Sequence, residues 1–499
     1  MQQFILIRGH QGSGKSTFAK ETIAQFLQKF PDALIVHVEN DLLLTDEHGN
    51  YYWTPERLDK AANQGMAMMK NAFKYGKENP NKNVLVINSN TNQKISLCKH
   101  LLALATKYHF KSTVYRLHNF FENTHHVKEA EVLAAYIRLD KNKLKDEIDV
   151  APIRPMTKEI QEKIEQLRIF DKKPLEYNSQ KHTYISDEYL AFNYGNFTAK
   201  YSKNYPDLKV LKYARKVFYN NNFDDALLEM RGLVMDKANN IIIRPFKKVF
   251  NYSERVSKNS KYPINIDDNH LVDLVVKVNG FLGVCTYVDL DKNHDSFDSD
   301  FNHQVLYSTT GSLDSDFAKM TKNHCQKYES LFKQYPNHTF LFEITDKNDV
   351  HIIKEDFGET LIGVINIKTS EQFSEERLNQ IADDFNQSQK EIVLKRPKMI
   401  CNISFKEAKI LLKTVKHEGF MVFDSHTKEL LFKLKSPFYL VSKFLGRSNE
   451  ESINRKLSKN HVDEEYYPLI DHIKENKDIF NQLSELDKIA FIQNFLEKI

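Results

Sequence analysis

Phe4, Ile5, Leu6, Ile7 and Arg8 run directly into Gly9, His10, Gln11, Gly12, Ser13, Gly14, Lys15, Ser16 and Thr17, and this stretch decides the fold of the first third of the chain. An apolar run of strand character meets the spacing G-x-x-x-x-G-K-[ST], and a helical pattern over residues 15–29 follows. Glycines at Gly9, Gly12 and Gly14 let backbone N–H groups wrap an anion at a helix N-terminus, which is what a phosphate requires. Lys15 is spaced to bridge the β- and γ-phosphates of a nucleotide and Ser16 to hold Mg2+, with Thr17 in the same first turn. Working outward, strand candidates at residues 33–38, 84–87 and 113–117 alternate with helical stretches at 55–74 and 95–109. That alternation predicts a parallel α/β sheet.

The second of these strands ends in Val38, Glu39, Asn40 and Asp41. A carboxylate at that edge, beside the glycine-rich loop, can take a proton from an acceptor hydroxyl, or can serve as a metal-side or capping acid. The third strand ends in Asn88, Ser89, Asn90, Thr91 and Asn92, and Asn123, Thr124, His125, His126 and Val127 precede a helix carrying Arg138. Over residues 1–145 this set resembles the polynucleotide 5′-kinase branch of P-loop kinases. The matching positions are the loop, Asp41, a G-x-Y turn at Gly49, Asn50 and Tyr51, the N-T-N strand end at Asn90, Thr91 and Asn92, and Asn123, His125 and Val127. The resemblance implies Asp41 as general base and Arg138 as a lid arginine on the transferring phosphoryl, with Arg116 a second candidate. The sequence departs from the branch in flanking Asp41 with Asn40 and Leu42 where paired acids are common, and in carrying Asn90 where some members have Asp.

Residues 140–180 change character. Pro152, Pro155 and Pro174 surround one amphipathic helix with Ile160, Ile164 and Leu167, which reads as a connector. From about Phe218 the pattern shifts to short β-type runs at 241–244, 274–278, 281–288, 339–344, 421–423 and 430–434, which predicts an α+β domain on antiparallel sheets. Lys277, Val278, Asn279 and Gly280 end one run. Glu343 lies in another, Glu418 precedes Gly419, and Lys433 and Lys435 alternate onto one face of the last. A lysine amine that attacks the α-phosphate of ATP must be neutral, so Lys433 and Lys435 are expected to depress the pKa of Lys277. Glu343 and Glu418 would bind ribose hydroxyls or a metal. Order and spacing resemble motifs I, III, IV and V of the covalent nucleotidyltransferases. Upstream, Arg231 and Gly232 followed by Arg244, Pro245, Lys248, Phe250 and Asn251, and downstream Thr309 to Ser312, resemble the phage-type tRNA-repair RNA ligases over residues 200–440. That resemblance implies Arg231 and Lys248 on the ATP phosphates, Phe250 stacked on adenine and Lys277 carrying AMP. Asn279 stands where Asp is commoner.

The last 60 residues read as helical. Ser484 and Asp487 resemble a capping pair, and Leu486, Ile489, Ile492, Phe495, Leu496 and Ile499 share a face. Lys443, Arg447, Arg455, Lys456 and Lys459 form a basic stretch that is either a solvated face or a contact for an RNA backbone. At 499 residues, 41% hydrophobic and 28% charged, the chain is long enough for two or three domains and apolar enough to be globular. A net charge of +4 says little about partners. Four scattered cysteines, no apolar run of membrane length and no signal peptide predict a cytoplasmic protein with reduced thiols.

The expectation is therefore an α/β P-loop kinase domain with lid and connector over residues 1–175, an α+β adenylyltransferase domain over 176–440 and a helical C-terminal region over 441–499. By resemblance it uses ATP with Mg2+ or Mn2+, phosphorylates and seals RNA ends, among them cleaved tRNA, and leaves 3′-end healing to a separate phosphatase or phosphodiesterase. A DNA-directed kinase–ligase and a nucleotide-gated RNA-binding protein without turnover are the alternatives.

Overall fold

Val84, Leu85, Val86 and Ile87 form an unbroken apolar run, and all four side chains are buried, the pattern of a strand covered on both faces. In the computed structural model this run belongs to one of five strands, β1 (Gln2–Arg8), β2 (Leu34–Val38), β3 (Val84–Asn88), β4 (Lys111–Leu117) and β5 (Ile148–Val150). They form one sheet in the order β2-β3-β1-β4-β5, with every pairing parallel. The helices α1 (Lys15–Lys29), α2 (Asn40–Leu44), α3 (Pro55–Glu78), α4 (Ile95–Lys107), α5 (Glu129–Lys141), α6 (Lys158–Phe170) and α7 (Asp187–Phe192) accompany it. One face of the sheet buries Phe4, Leu6, Val84 and Val86 against Phe73, Met69 and Leu101, and the other buries Ile5, Ile7, Leu85 and Ile87 against Ala19 and Phe26. The stretch read as a connector packs instead: Ile164 and Leu167 of α6 meet Leu133 and Ile137 of α5.

The structure describes residues 1–45, 55–122, 127–170, 173–257, 260–288, 304–349, 356–389, 392–446, 466–483 and 485–496. Gly49, Asn50, Tyr51, Asn123, Thr124, His125, His126, Arg447, Arg455, Lys456, Lys459, Ser484 and Ile499, singled out in the sequence, lie outside the described residues. The chain divides into two units. One comprises Met1–Glu176 and Ile185–Tyr194, the other Tyr177–Tyr184 and Gly195–Ile499.

The second unit holds twelve further strands among its described residues: β6 (Phe197–Tyr201), β7 (Lys209–Tyr213), β8 (Arg231–Met235), β9 (Ile241–Ile243), β10 (Leu271–Val276), β11 (Phe281–Val288), β12 (Gln304–Ser308), β13 (His338–Thr345), β14 (Gly358–Asn366), β15 (Met399–Ser404), β16 (Gly419–Asp424) and β17 (Leu430–Lys435). They make three four-stranded antiparallel sheets, β6-β7-β8-β9, β12-β11-β13-β14 and β15-β10-β16-β17. Strand structure thus begins at Phe197, some twenty residues before the sequence pattern announces it. After β17 the chain turns helical at Pro437–Gly446, and Tyr439, Leu469, Ile470, Phe480, Ile492 and Leu496 close a separate helical core. No helix among the described residues is long and apolar enough to cross a membrane. Cys98, Cys285 and Cys325 are buried free thiols, and Cys401 on β15 is exposed.

Candidate functional site

Two clusters of chemically capable side chains form, one in each unit. In the first, β1 delivers the loop Gly9–Gly14 to the N-terminus of α1. Gly12 and Gly14 take φ of 73° and 82°, the left-handed region that glycine adopts without cost. A Cβ on Gly12 would lie 2.6 Å from the Phe121 carbonyl, so the loop is closed on that side by backbone. Asn119, which the sequence reading did not single out, ties three loops together. Its amide donates to the Ser13 carbonyl at 3.1 Å, and its oxygen accepts from the N–H groups of Ile153 at 2.7 Å and Arg154 at 3.0 Å. Asn92 does similar work at the N-T-N strand end, with its amide on the Ile7 and Asn90 carbonyls at 2.7 and 2.9 Å.

Lys15 donates to the His10 carbonyl at 2.7 Å. Burial pushes its ammonium down to about 8, against the raising fields of Glu39 and Asp41. Ser16 donates its hydroxyl to Glu39. Thr17 faces solvent in the first turn of α1. Asp41 sits in the first turn of α2, close enough for its charge to act on Lys15. The Arg138 guanidinium donates to Gln93 Oε1 at 2.8 Å and to the Ala191 carbonyl at 2.6 Å. The arginine whose charge acts on both Lys15 and His10 is Arg116, 1% exposed and 5.4 Å over the Tyr136 ring. His10 is fully buried against Phe120 and Tyr136, and burial pushes it down to about 3, so its imidazole is neutral. A sequence shows neither the burial of His10 nor the tether of Arg138, because both depend on partners far along the chain.

In the second unit β10 ends at Val276 and presents Lys277, whose N–H donates to the Gly419 carbonyl at 2.9 Å. The Lys277 ammonium reaches Glu418 Oε2 at 2.9 Å, and Lys435, the last residue of β17, lies 3.3 Å from Glu418 Oε1. Glu418 is 3% exposed; burial pushes its carboxyl up, but the two ammonium groups outweigh that and hold it below the usual range. Glu343 on β13 accepts from the Gly280 N–H at 3.0 Å, and burial raises its pKa despite the nearby charge of Lys277. Lys277 itself is shifted upward. Burial works against its ammonium, and Glu418 and Glu343 more than offset that, with Lys435 opposing them. Lys435 thus pushes Lys277 down as expected, but the net shift is upward because the two carboxylates outweigh it and burial together.

The upstream block is brought to the same unit with varied roles. Arg231 opens β8, and its charge acts on Glu343. Gly232 has φ of 95° and backs onto Thr310, whose Cα would lie 2.7 Å from an added Cβ. Lys248 is buried with its ammonium 4.5 Å over Phe218 and 5.4 Å over Phe250. The Phe250 ring stacks on Tyr262 at 5.3 Å, while its carbonyl accepts from the Lys433 N–H at 3.0 Å. Arg244 pairs with buried Glu229 at 3.0 Å and donates to the carbonyls of Lys181 and His182, so it braces the fold.

Residues 229–444 match the RNA ligase family. An archaeal ATP-dependent RNA ligase structure aligns over 64% of this chain and 77% of its own length at 11% identity and a TM-score of 0.42. A mutant Naegleria gruberi RNA ligase solved with ATP and Mn aligns over 35% of this chain and 52% of its own length, at 13% identity and a TM-score of 0.27. An uncharacterized Pasteurella multocida protein is 41% identical over 168 residues, which is 34% of this chain and 93% of that protein. Residues 229–444 thus resemble the RNA ligase family, and the chain shares one family with the Pasteurella multocida protein.

Proposed function

We propose that this chain heals and seals RNA ends: the first unit phosphorylates a 5′-hydroxyl and the second joins the resulting 5′-phosphate to a 3′-hydroxyl. The observation that carries the sealing half is Lys277 held at 2.9 Å by Glu418 with Lys435 on the same carboxylate, inside the stretch that matches the RNA ligase family. The amine of Lys277, once neutral, attacks the α-phosphate of ATP and releases pyrophosphate. The AMP passes from Lys277 to the 5′-phosphate of the RNA, and the 3′-hydroxyl displaces it as the new phosphodiester forms. Lys435 and Lys433 offset phosphate charge, Arg231 and Lys248 hold the ATP phosphates, and Glu343 and Phe250 hold the nucleoside.

In the first unit, Lys15 and the loop N–H groups hold the phosphates of a nucleotide, and Asp41 accepts the proton of the attacking 5′-hydroxyl. Arg116 supports this reading as the cation beside the loop better than Arg138 does. The Ser16 hydroxyl and the Glu418 carboxylate are oxygen donors that suit Mg2+ or Mn2+, which neutralises phosphate charge when bound. Cleaved tRNA is the proposed substrate, and a separate phosphatase or phosphodiesterase supplies the free 3′-hydroxyl.

Incubation with α-³²P-ATP and Mg2+ should leave a denaturation-resistant label on the wild type and none on Lys277→Ala. Transfer from γ-³²P-ATP to a 5′-hydroxyl RNA should survive in Lys277→Ala and disappear in Lys15→Ala. An unlabelled wild type, stripped of bound AMP, sinks the sealing half, and transfer that persists in Lys15→Ala sinks the healing half.

A further inference from the structure

Among the described strands of the first unit, β2 is the one that carries acids to the edge of the sheet where the loop sits. The three residues after β1 are Gly9, His10 and Gln11; after β3, Ser89, Asn90 and Thr91; after β4, His118, Asn119 and Phe120; after β5, Ala151, Pro152 and Ile153. None is acidic. After β2 come Glu39, Asn40 and Asp41.

Of the two acids, Glu39 touches the loop helix. One oxygen of its carboxylate accepts from the Ser16 hydroxyl, and the other accepts from the Ser89 hydroxyl at 3.0 Å. His37 Nε2 stands 3.5 Å from that second oxygen and 2.8 Å from Ser89 Oγ. The residue is 9% exposed, so its charge is kept in a pocket of fixed partners. The Lys15 ammonium lies within reach of the same charge. Mg2+ prefers an octahedral shell of oxygens, mostly water and phosphate, completed by one or two protein groups. In P-loop NTPases these are the loop Ser or Thr and an aspartate from a neighbouring strand. Here β3, the strand beside β1, is followed at once by Ser89, and that hydroxyl is bonded to Glu39.

We propose that Glu39 and Ser16 together form the Mg2+ site of the first unit, with the acid supplied by β2 and positioned by Ser89 and His37. The inference rests on the reading of this unit as a nucleotide-using kinase. It divides the labour at the end of β2: Glu39 faces the metal, directly or through one water, and Asp41 keeps the role of base proposed above. It also gives the polar end of β3 a purpose, since Ser89 holds the carboxylate in place as outer partners of metal ligands do.

The test is binding of a fluorescent ADP analogue to the full-length protein, with and without Mg2+, taking the signal lost in Lys15→Ala as that of the first unit. In wild type Mg2+ should tighten the Lys15-dependent binding. Glu39→Gln should weaken that tightening by roughly 10- to 100-fold, while metal-free binding stays equal or improves because a carboxylate near the phosphates is gone. Ser16→Ala should show the same loss, and the double variant no further loss, because both groups serve one ion. An unchanged Mg2+ effect in Glu39→Gln overturns the assignment and leaves the kinase reading standing. Absence of any Lys15-dependent binding in wild type overturns both. If the Gln variant does not fold, Glu39→Asp keeps the charge one methylene back, and an unaltered Mg2+ requirement there overturns the assignment as well.

Discussion

Lys277 and Lys435 share the two oxygens of one nearly buried carboxylate, Glu418. In this state the proposed nucleophile, Lys277, is held as an ammonium, since the pull of Glu418 and Glu343 exceeds the effect of burial. A group whose folded pKa is raised keeps its proton to higher pH, so reactions that need the free amine are delayed to more alkaline conditions. Neutralising Glu418 removes the largest of the raising charges. In Glu418→Gln the pH midpoint for acylation of Lys277 in the nucleotide-free protein should fall, because the largest charge favouring the ammonium is gone. Peptide mass spectrometry across a pH series reads it, and a midpoint that stays or rises contradicts the charge assignment.

At the scale of elements, the pairing of β16 with β17 sets the distance between Glu418 and Lys435. Gly419 opens β16 with φ of 135°, and an added Cβ would lie 1.9 Å from the Leu434 carbonyl. Gly419→Ala therefore must push the two strands apart where Lys435 leaves β17. The expected result is a destabilisation on the order of 2 kcal/mol or more, seen as a lower thermal midpoint, together with loss of Lys277 labelling. A variant that unfolds like wild type and labels normally would show that the backbone can relax there. This approach is local backbone geometry, and the tetrapeptide Glu418, Gly419, Phe420 and Met421 alone does not reveal it. What was legible at this scale is unequal for physical reasons. The helix Lys15–Lys29 and the strand Phe281–Val288 were readable to the residue, because each has a clean period and a clear stop. β7 was missed because Lys209 and Lys212 break its apolar pattern although Lys209 is buried, with its ammonium bonded to Asn239. β15 was missed because it is an edge strand with most of its side chains exposed or half-exposed, so no alternation marks it.

For the whole chain, the sequence offers candidate site residues more readily than the partners that hold them. Lys15, Ser16, Lys277 and Glu418 come from short spacings that chemistry constrains. Glu39 on Ser16, Asn119 on Ser13 and Arg138 on Ala191 are contacts across 23, 106 and 53 residues, and no local pattern announces such pairs. The division into units has the same origin. Residues Tyr177–Tyr184 belong with the second unit because Thr183 donates to Glu229 at 2.9 Å and the carbonyls of Lys181 and His182 accept from Arg244. A fragment beginning at residue 195 loses these partners from a buried ion pair, so it should melt several degrees below a fragment beginning at 177. Equal melting points would show that the segment adds nothing to the second unit.

The burial of three of the four cysteines has a practical side. Cys401 alone meets solvent, on the edge strand β15, and the neighbouring β10 leads straight into Lys277. The unmodified protein therefore already carries a single address for a maleimide dye or spin label, one strand away from Lys277, and a spectroscopist can watch that sheet without first removing a cysteine.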